Sequence, residues 1–457
     1  MRILLTAHQF LPEYFSGTEI LTYTTAKELQ RRGHEVRVFT GAPSIPGAAE
    51  NGLFDAYVHD GLPVERFHHA FVPLGEQSNL VEMEYDLHLV RDRFRDLLAR
   101  ARPHIVHFFH LSRISSAPIP VCRANGIPAF LTPTDFWCVC PTCQLRLPDN
   151  TVCPGPDPDA ANCVRHLAAL LGTRTAALFA KLPTGFSRAA VRIAGALPAH
   201  ANPLLDMVRA LAQRKPTIIG RVNQLDGIFV PSRVMHAVLS RHGVSPGIMR
   251  SCPFGIAPGS ATIPRAGDAG GRLRVGYIGT LAEQKGVHVL VAAFRALAGR
   301  ELELMIYGGL NDFPAYVARL RSLAAGDPRI TFYGTFPNDE INGVLAGIDV
   351  LVVPSIWCEN TPLVVLSAQE AGCPVIASDM AGLSEAIRHE ENGLLFAAGD
   401  AAALQATVGR VAADRALLKR LSQACRKPRS VVDYVDQLED SYTMALAHIR
   451  PQDGKIR

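Results

Sequence analysis

Residues 355–382 read SIWCENTPLVVLSAQEAGCPVIASDMAG, and the order of apolar and polar segments in this stretch decides the fold. It begins where the apolar run DVLVVPS at 349–355 ends, and it contains a second apolar run, CPVIAS, at 373–378. Between the two runs, Thr361 and Pro362 suit the N-cap and the first position of a helix. The order strand, helix, strand predicts a parallel sheet that is covered by helices.

The same alternation of strand and helix extends outward over two halves of the chain. Apolar runs that suit strands lie in the first half at 2–7, 32–40, 104–109 and 127–132. In the second half they lie at 272–280, 301–308, 330–334, 349–355 and 373–378. We therefore predict an α/β fold with two doubly wound, parallel-sheet, Rossmann-like domains that face a cleft, because such sheets bind ligands beyond the carboxyl ends of their strands.

The stretch PGSATIPRAGDAGG at 258–271 is the predicted linker between the two halves. It is rich in Gly, Pro and Ala and has no hydrophobic periodicity. We expect it to separate an N-terminal domain at 1–258 from a C-terminal domain at 272–430. A segment rich in cysteines and basic residues, at about 138–215, reads as an insertion in the first domain.

Length and composition limit the class of protein. A chain of 457 residues with 48% hydrophobic and 19% charged residues favours two or three globular domains. The net charge of +4 is too small and too local to favour general binding to nucleic acid. The opening MRILLTAHQF does not read as a secretory signal, and no run reaches about 18 uninterrupted apolar residues. We therefore expect a cytoplasmic protein with reduced cysteines.

Two loops of the second half suit an anionic ligand. The helix after Glu359 would present unpaired amides and its positive dipole end to a diphosphate, which leaves Glu359 to accept hydrogen bonds from sugar hydroxyls. In GTLAEQKG at 279–286, Lys285 offers a flexible positive charge, and Gly279 lets the backbone approach a ligand. The simpler alternatives are a helix start without a ligand and a solvated lysine.

An ordered set of motifs in both halves resembles the retaining GT-B glycosyltransferases of family 4. The first half contributes SGTE at 16–19, RGHEV at 32–36, DGIFVPSRVMHAVLSRHGV at 226–244 and CPFGI at 252–256. The second half contributes GxLxxxKG at 279–286, YGG at 307–309, FYG at 332–334, VVPS at 352–355, ENTPL at 359–363, EAGCPVIAS at 370–378, GLSE at 382–385 and NGLLF at 392–396.

The resemblance implies a metal-independent hexosyltransferase that moves a sugar from a nucleotide diphosphate sugar to an acceptor hydroxyl with retained anomeric configuration. It also implies an acceptor such as a lipid-linked or cell-surface glycan intermediate, a role in polysaccharide biosynthesis, and a final segment, 433–457, that packs back on the first domain. The implied catalytic residues are Lys285, Glu359 and Asp135. The implied donor-binding residues are Gly17, Gly279, Thr280, Lys285, Gly334, Thr335, Phe336, Glu359, Asn360, Thr361, Pro362, Leu363, Ser367 and Glu370.

Two positions depart from the family pattern. Ser367 stands where the second glutamate of the Glu-x7-Glu motif is expected, and Glu370 follows three residues later on a neighbouring part of the same helical face. In LTPTDFW at 131–137, Thr134 replaces the histidine of the usual His-Asp pair, and threonine cannot take a proton at neutral pH. One alternative on the same architecture is a non-hydrolysing nucleotide-sugar epimerase, which Thr134 disfavours because an epimerase needs acid and base groups at the sugar. The other is a degenerate protein that binds a nucleotide sugar or a partner without turnover, and both departures fit it.

The insertion carries two further signals. Cys140, Cys143, Cys153 and Cys163 have a spacing that suits a structural zinc site, with reduced buried thiols or a redox pair as the alternatives. The Asp-x-Asp string at 157–159 lies in a proline-rich loop and reads as a solvated turn, not as a metal site.

The second signal of the insertion is its charge. Residues 165–215 hold eight basic residues against Asp206 alone, a local net charge of +7. A basic amphipathic segment of this kind suits peripheral attachment to an anionic membrane surface, here the inner face of the membrane. Ordinary helices packed on the first domain, with solvated arginines, are the alternative.

Overall fold

The structure, a computed structural model, describes residues 1–43, 52–69, 72–74, 76–170, 174–198, 202–257, 271–299 and 301–449. The chain divides into two compact units, each of which is described by itself below. The first unit contains Met1–Pro231, Met235–Pro253 and Tyr434–Arg457, and the second contains Ser232–Val234 and Phe254–Asp433. The main change of unit comes shortly before residue 258, and nearly all of the linker predicted at 258–271 lies outside the described residues.

The first unit is built on an eight-stranded sheet with the order β3-β4-β2-β1-β5-β6-β7-β8. All neighbouring strands in it are parallel except β3 and β4. Its strands are β1 (Arg2–Ala7), β2 (Glu35–Pro43), β3 (Phe54–His59), β4 (Leu62–His69), β5 (Ile105–Phe108), β6 (Ala129–Leu131), β7 (Gly227–Val230) and β8 (Met249–Ser251). Its helices are α1 (Gly17–Arg31), α2 (Leu80–Tyr85), α3 (His88–Ala101), α4 (Pro118–Ala124), α5 (Ala161–Leu170), α6 (Arg174–Lys181), α7 (Thr184–Ala196), α8 (Pro203–Val222) and α9 (Arg233–Arg241).

The second unit is built on a six-stranded, fully parallel sheet with the order β11-β10-β9-β12-β13-β14. Its strands are β9 (Leu273–Ile278), β10 (Leu302–Tyr307), β11 (Ile330–Gly334), β12 (Val350–Val353), β13 (Val375–Ser378) and β14 (Gly393–Phe396). Its helices are α10 (Val287–Arg295), α11 (Pro314–Ala324), α12 (Ile341–Ala346), α13 (Leu363–Glu370), α14 (Leu383–Ala386), α15 (Ala401–Ala413) and α16 (Arg415–Gln423), and the last helix of the chain is α17 (Val431–Ile449).

The predicted strands are confirmed, and those at 2–7 and 330–334 keep their bounds. The central strands β5, β6, β7, β12 and β13 are buried along their whole length, as expected where helices cover both faces of a parallel sheet. In the second unit, one buried cluster includes Val275 and Leu304, and another includes Leu351 and Val375. Two parallel α/β sheets of this kind are the fold class that the sequence predicts, whereas the cleft between them stays a prediction.

In each sheet, the strand order brings two loops side by side at the carboxyl ends of two neighbouring strands. In the second sheet the order reverses between β9 and β12, which pair side by side through Val275 and Val350. In the first sheet it reverses between β1 and β5, which pair through Thr6 and Phe108 at their carboxyl ends. The connections that follow these strands diverge, and such switch points are where doubly wound sheets bind ligands.

The helix that the sequence analysis starts at Pro362 begins one residue later. Pro362 is the N-cap of α13, with a backbone in the β region, and the Thr361 hydroxyl donates to the Asn360 carbonyl oxygen at 2.8 Å. The predicted N-cap role of Thr361 is therefore wrong. A side-chain cap would need the Thr361 oxygen to accept from the first turn, whereas this hydroxyl bonds to the preceding backbone.

Candidate functional site

The switch point of the second unit joins Lys285 to Glu359. Lys285 follows β9 and Glu359 follows β12, and the Lys285 ammonium donates to Glu359 Oε1 at 2.7 Å although the two residues are 74 positions apart. The Glu359 side chain is almost fully buried, whereas a quarter of the Lys285 side chain is exposed. The positive charge therefore lies at the surface of the site with its carboxylate partner beneath it.

Two residues that the sequence analysis does not single out complete this arrangement. The Ser355 hydroxyl donates to Glu359 Oε1 at 2.7 Å, and the Trp357 indole N–H donates to the same oxygen at 2.8 Å. The Lys285 ammonium also lies 4.9 Å from the centre of the Trp357 ring, within the range of a cation–π contact. Three donors thus hold one carboxylate oxygen, so the side chain of Glu359 is fixed before any ligand binds.

Two glycines hold the loop that carries Glu359. Gly382 has φ +88°, and a Cβ built on it would lie 1.9 Å from the Glu359 carbonyl oxygen. Gly286 has φ +69°, and a Cβ there would lie 1.9 Å from the carbonyl oxygen of Pro354. Both positions require glycine for two reasons: the positive φ, and the close approach of another backbone segment. The loop at 354–359 is therefore positioned by backbone packing.

The first turn of α13 lies close to this pair in sequence and offers backbone donors. Among the described residues, the amides of Leu363 and Val364 have no hydrogen-bond acceptor, as expected for the first turn of a helix. Such amides, at the positive end of the helix dipole, bind anions. With Lys285, they give the second unit the elements of a diphosphate site.

The remaining residues of the predicted donor set fall in three places in the second unit. Gly279 and Thr280 follow β9, and Tyr277 donates its hydroxyl proton to the Thr280 carbonyl oxygen at 2.8 Å. The segment 334–336 begins at the last residue of β11, and its Phe336 ring meets the Tyr307 ring edge to face at 5.5 Å. Asn360 is buried beside Glu359, and Ser367 and Glu370 lie half-buried on α13.

The switch point of the first unit holds a cluster of titratable groups that the sequence analysis misses. His8 follows β1, His110 follows β5, and their rings lie 4.3 Å apart between centroids. Glu19, in the first turn of α1, is fully buried, and its Oε1 lies 3.5 Å from His8 Nε2. Neither Glu19 oxygen has a well-formed hydrogen bond among the described residues. In the sequence, the signal for this cluster is the motif SGTE at 16–19, which contains Glu19 and opens the first helix after β1.

Burial governs the protonation of this cluster. Desolvation raises the pKa of Glu19 to about 7, so its carboxyl titrates near neutrality. Desolvation, together with the charges of His110 and Arg113, lowers the pKa of His8 well below its usual value, so the His8 imidazole is neutral at pH 7. A buried carboxyl that titrates near pH 7 is typical of functional sites.

Asp135, a predicted catalytic residue, belongs to the same cluster. The Ser112 amide donates to His110 Nδ1 at 3.0 Å, so the ring hydrogen lies on Nε2 and is donated to Asp135 Oδ2 at 2.8 Å. The other oxygen, Oδ1, accepts from the Trp137 amide at 2.8 Å. Asp135 therefore orients the imidazole of His110. His110 follows β5, whereas the histidine expected at position 134 would follow β6.

Gly17 is the first residue of α1, and Thr134 contacts the first turn of this helix. The Thr134 hydroxyl accepts a hydrogen bond from Thr18 at 2.8 Å and donates to the Phe109 carbonyl oxygen at 3.3 Å. A Cβ built on Gly17 would meet no atom within 4 Å. The fold therefore does not itself require glycine at 17, and a close approach there would have to come from a ligand.

The four cysteines of the predicted zinc site are not gathered as a metal site requires. Across the described ranges, which include all four, no three His, Cys, Asp or Glu side chains are grouped so that they could hold a metal ion. Burial raises the pKa of Cys163 to about 12 and that of Cys143 well above its usual value, which favours thiols. The zinc hypothesis gains no support from this geometry and stays a prediction for metal analysis.

Two family models match the chain. Residues 272–414 match the model described as Glycosyl transferases group 1, and residues 16–180 match the model described as Glycosyl transferase 4-like domain. Together the two matched segments span more than half of the chain. They contain the two switch-point clusters, with Lys285 and Glu359 in one and Glu19 and Asp135 in the other.

Curated relatives share sequence with parts of the chain. The D-inositol 3-phosphate glycosyltransferase of Nocardia farcinica is 32% identical over 174 residues, which are 36% of this chain and 38% of that protein. The 2-deoxystreptamine glucosyltransferase of Streptomyces kanamyceticus is 35% identical over 147 residues, 31% of this chain and 37% of that protein. An uncharacterized glycosyltransferase of Methanocaldococcus jannaschii is 31% identical over 118 residues, 26% of this chain and 30% of that protein. The chain thus matches only about a third of the length of these relatives.

Solved structures share the fold over nearly the whole chain. The Anabaena protein HepE, in complex with UDP and glucose, superposes with a TM-score of 0.63 at 15% identity and covers 97% of this chain and 100% of its own. Sucrose-phosphate synthase from Thermosynechococcus elongatus superposes with a TM-score of 0.64 at 19% identity, and the match covers 98% of this chain and 100% of the synthase chain. The family matches and the fold identify the chain as a member of the group 1 and family 4-like glycosyltransferases, with the GT-B fold.

Proposed function

We propose that this protein is a glycosyltransferase that moves a sugar from a nucleotide diphosphate sugar to an acceptor hydroxyl and retains the anomeric configuration. The proposal rests on one observation: Lys285, Glu359 and the first turn of α13 all belong to the switch point of the second unit. The curated relatives that are glycosyltransferases, and HepE in complex with UDP and glucose, support the donor class.

The two members of the pair have different tasks in this proposal. The Lys285 ammonium and the free amides of α13 stabilise the negative charge that builds on the departing diphosphate. Glu359, which three donors hold in place, accepts hydrogen bonds from hydroxyls of the donor sugar. Because the positive charge comes from protein groups, we propose that the transfer needs no divalent metal.

Retention follows if the acceptor attacks from the side on which the diphosphate leaves. The bond between the anomeric carbon and the diphosphate oxygen breaks, and a new bond forms between that carbon and the acceptor oxygen. The acceptor proton passes to the departing diphosphate oxygen, so no protein base is needed. This route is compatible with Thr134, which has no basic group at neutral pH.

We propose that the acceptor is a lipid-linked or cell-surface glycan intermediate and that the protein works in polysaccharide biosynthesis at the inner face of the membrane. The exposed basic and apolar residues of the insertion support an acceptor at a lipid surface. Ser367 replaces the glutamate that would bind the donor ribose, and we propose that Glu370, at the end of the same helix, takes this role.

Substitution of Lys285 tests the donor site. The purified chain is incubated with a panel of nucleotide diphosphate sugars and a bacterial lipid extract, and released nucleoside diphosphate and the product anomer are measured. Lys285→Ala should lower turnover by about 10²-fold or more, the scale for loss of one preorganised donor to a developing charge. Lys427→Ala removes an exposed lysine of the same unit and should leave turnover unchanged.

The outcomes separate the alternatives. Glycosylated lipid with the donor's anomeric configuration supports the proposal, and an inverted product contradicts retention. An intact donor with an isomerised sugar would identify an epimerase, and binding without turnover would identify a binding protein. Undiminished turnover of Lys285→Ala would remove this residue from the mechanism.

A further inference from the structure

The insertion in the first unit exposes an unusual number of large apolar side chains. Seven of the 16 exposed large apolar residues among the described parts of the chain lie within the segment 170–207. The most exposed on α6 and α7 are Leu178, at 66%, and Phe186, at 56%. The others of this group are Leu170, Ile193, Leu197, Leu204 and Met207. A concentration of this kind marks an interaction surface.

The eight basic residues of the segment 165–215 fall into two groups that the sequence alone does not separate. Four of the eight are used within the fold. Arg165 and Arg209 donate to backbone carbonyl oxygens at the ends of α6 and α7, Arg214 is buried against Glu84, and Lys215 lies near the carbonyl oxygens of 156 and 157. These four side chains are held by hydrogen bonds, and Arg209 and Arg214 also have a carboxylate partner, Asp206 and Glu84.

The other four basic residues are exposed and lie on the same two helices as the apolar side chains. Arg174 and Lys181 are on α6, and Arg188 and Arg192 are on α7. None of them forms an ion pair with another described residue. Four cations of the segment 165–215 are thus exposed and without an ion pair among the described residues, and they lie on the two helices that carry Leu178 and Phe186.

The spacing of these residues arranges them along the helices. On α6, Arg174, Leu178 and Lys181 are separated by four and three residues, so they share one exposed side. On α7, Phe186 and Ile193 are separated by seven residues and lie on one line. Arg192 and Arg188 lie roughly 100° and 140° around the helix from Ile193, at the opposite edge of the exposed half.

The buried side of α7 points elsewhere. Val191 of α7 packs on the small core formed by Ala160, Cys163, Val164 and Leu211, and Ala194 is fully buried. The exposed apolar line is therefore not part of the core of the insertion. A helix whose exposed half carries an apolar line along one edge and cations along the other fits the boundary between lipid headgroups and acyl chains.

We propose that α6 and α7 form a docking surface for an anionic lipid bilayer. Leu178, Phe186 and Ile193 enter the headgroup region, and the four exposed cations bind the phosphate groups of anionic lipids. Charge complementarity selects this occupant, because an apolar protein partner would not account for four cations without an ion pair on the same two helices as the apolar side chains. No helix in the described ranges is both long and apolar enough to span a bilayer, so attachment in this proposal is peripheral.

Flotation of the full-length chain with lipid vesicles tests the surface and does not depend on the proposed transfer reaction. Vesicles of phosphatidylcholine alone are compared with vesicles of equal parts phosphatidylcholine and phosphatidylglycerol, at low and at high salt. The protein should float with the anionic vesicles at low salt, and the bound fraction should fall on addition of salt because screening weakens the cations.

Paired variants assign the binding to these helices. Arg188→Gln/Arg192→Gln should weaken the partition coefficient for anionic vesicles roughly 30-fold, and Phe186→Ser/Ile193→Ser should weaken it about tenfold or more. Arg272→Gln/Arg321→Gln removes two exposed cations from the second unit, and Val58→Ser/Met444→Ser removes two exposed apolar side chains from elsewhere in the first unit. Both control pairs should bind as the unmodified chain does.

The proposal is overturned if the unmodified chain fails to float with anionic vesicles at low salt. It is overturned equally if the charge control loses as much binding as the arginine pair, since net charge and not this surface would then be responsible. Circular dichroism of each variant shows whether it is folded, so that flotation is compared among folded proteins only. Loss of flotation with an unchanged release of nucleoside diphosphate would separate this surface from the donor site.

Discussion

Glu19 shows at the scale of one residue how a buried group can lower stability. Its carboxyl is fully buried in the first turn of α1 and faces His8, which carries no charge at neutral pH. Ionisation there lacks the donors that normally stabilise a buried carboxylate. A stability loss of this kind is expected where a residue serves binding or catalysis.

Replacement of Glu19 by glutamine should remove this loss. Since the pKa is about 7 in the folded chain against 4.5 in the unfolded chain, the folded state holds the extra proton between these values, and wild-type stability falls as pH rises through this window. Glu19→Gln should therefore be more stable by about 3 kcal/mol at pH 8 and equal to wild type near pH 4. Chemical denaturation across this pH range measures the difference.

The control for this experiment is Glu340→Gln, which neutralises an exposed carboxyl. It should not change the pH dependence of the free energy of unfolding. An unaltered slope between pH 5 and pH 7 in Glu19→Gln would contradict the raised pKa.

At the scale of elements, the loop between β12 and α13 is the part that the rest of the second unit positions. Gly286, before α10, and Gly382, before α14, both contact its backbone, at the carbonyl groups of Pro354 and Glu359. The loop is thus held at two points by elements distant in sequence. Its sequence alone contains no sign of these contacts.

Gly382→Ala should displace this loop. A methyl group would lie 1.9 Å from the Glu359 carbonyl oxygen, so the backbone must shift and the three hydrogen bonds to Glu359 Oε1 should break. We expect a loss of stability of about 2 kcal/mol or more and a matching loss of nucleoside diphosphate release. Thermal unfolding and the turnover assay measure the two effects.

Gly326→Ala is the matched control for the loop experiment. Gly326 also has a positive φ, +80°, but a Cβ there would meet no atom within 4 Å. This variant should carry only the conformational strain of about 1 kcal/mol and should keep its turnover. Equal effects of the two variants would show that positive φ, and not the contact with Glu359, is responsible.

At the scale of the whole molecule, α17 returns the end of the chain to the first unit. Tyr434 and Tyr442 are fully buried, and Tyr442 bonds to Nδ1 of His107 in β5. The other ring nitrogen of His107 lies 2.9 Å from the Thr132 hydroxyl. Desolvation lowers the pKa of His107 to about 3, so the ring is neutral and both nitrogens depend on these partners. The core of the first unit is therefore completed by residues more than 300 positions away.

Tyr442→Phe should leave a buried nitrogen of His107 without a partner. Loss of one partner of a buried hydrogen bond costs about 1–3 kcal/mol, and we expect that decrease in the free energy of unfolding of the first unit. Met444→Ala, an exposed site on the same helix, should change stability by less than about 0.5 kcal/mol. A Tyr442→Phe protein as stable as the unmodified chain would exclude the contact as a stabilising one.

The sequence by itself determined the strands, the two-sheet fold class and the motif residues, because hydrophobic periodicity and turn residues act over a few neighbouring positions. Only the tertiary structure decided that Lys285, Ser355 and Trp357 share one oxygen of Glu359 and that His110 stands beside Asp135. It also decided that four of the eight basic residues in 165–215 are hydrogen-bonded within the fold. Hydrogen bonding and desolvation depend on groups that distant segments bring together, so no local pattern records them.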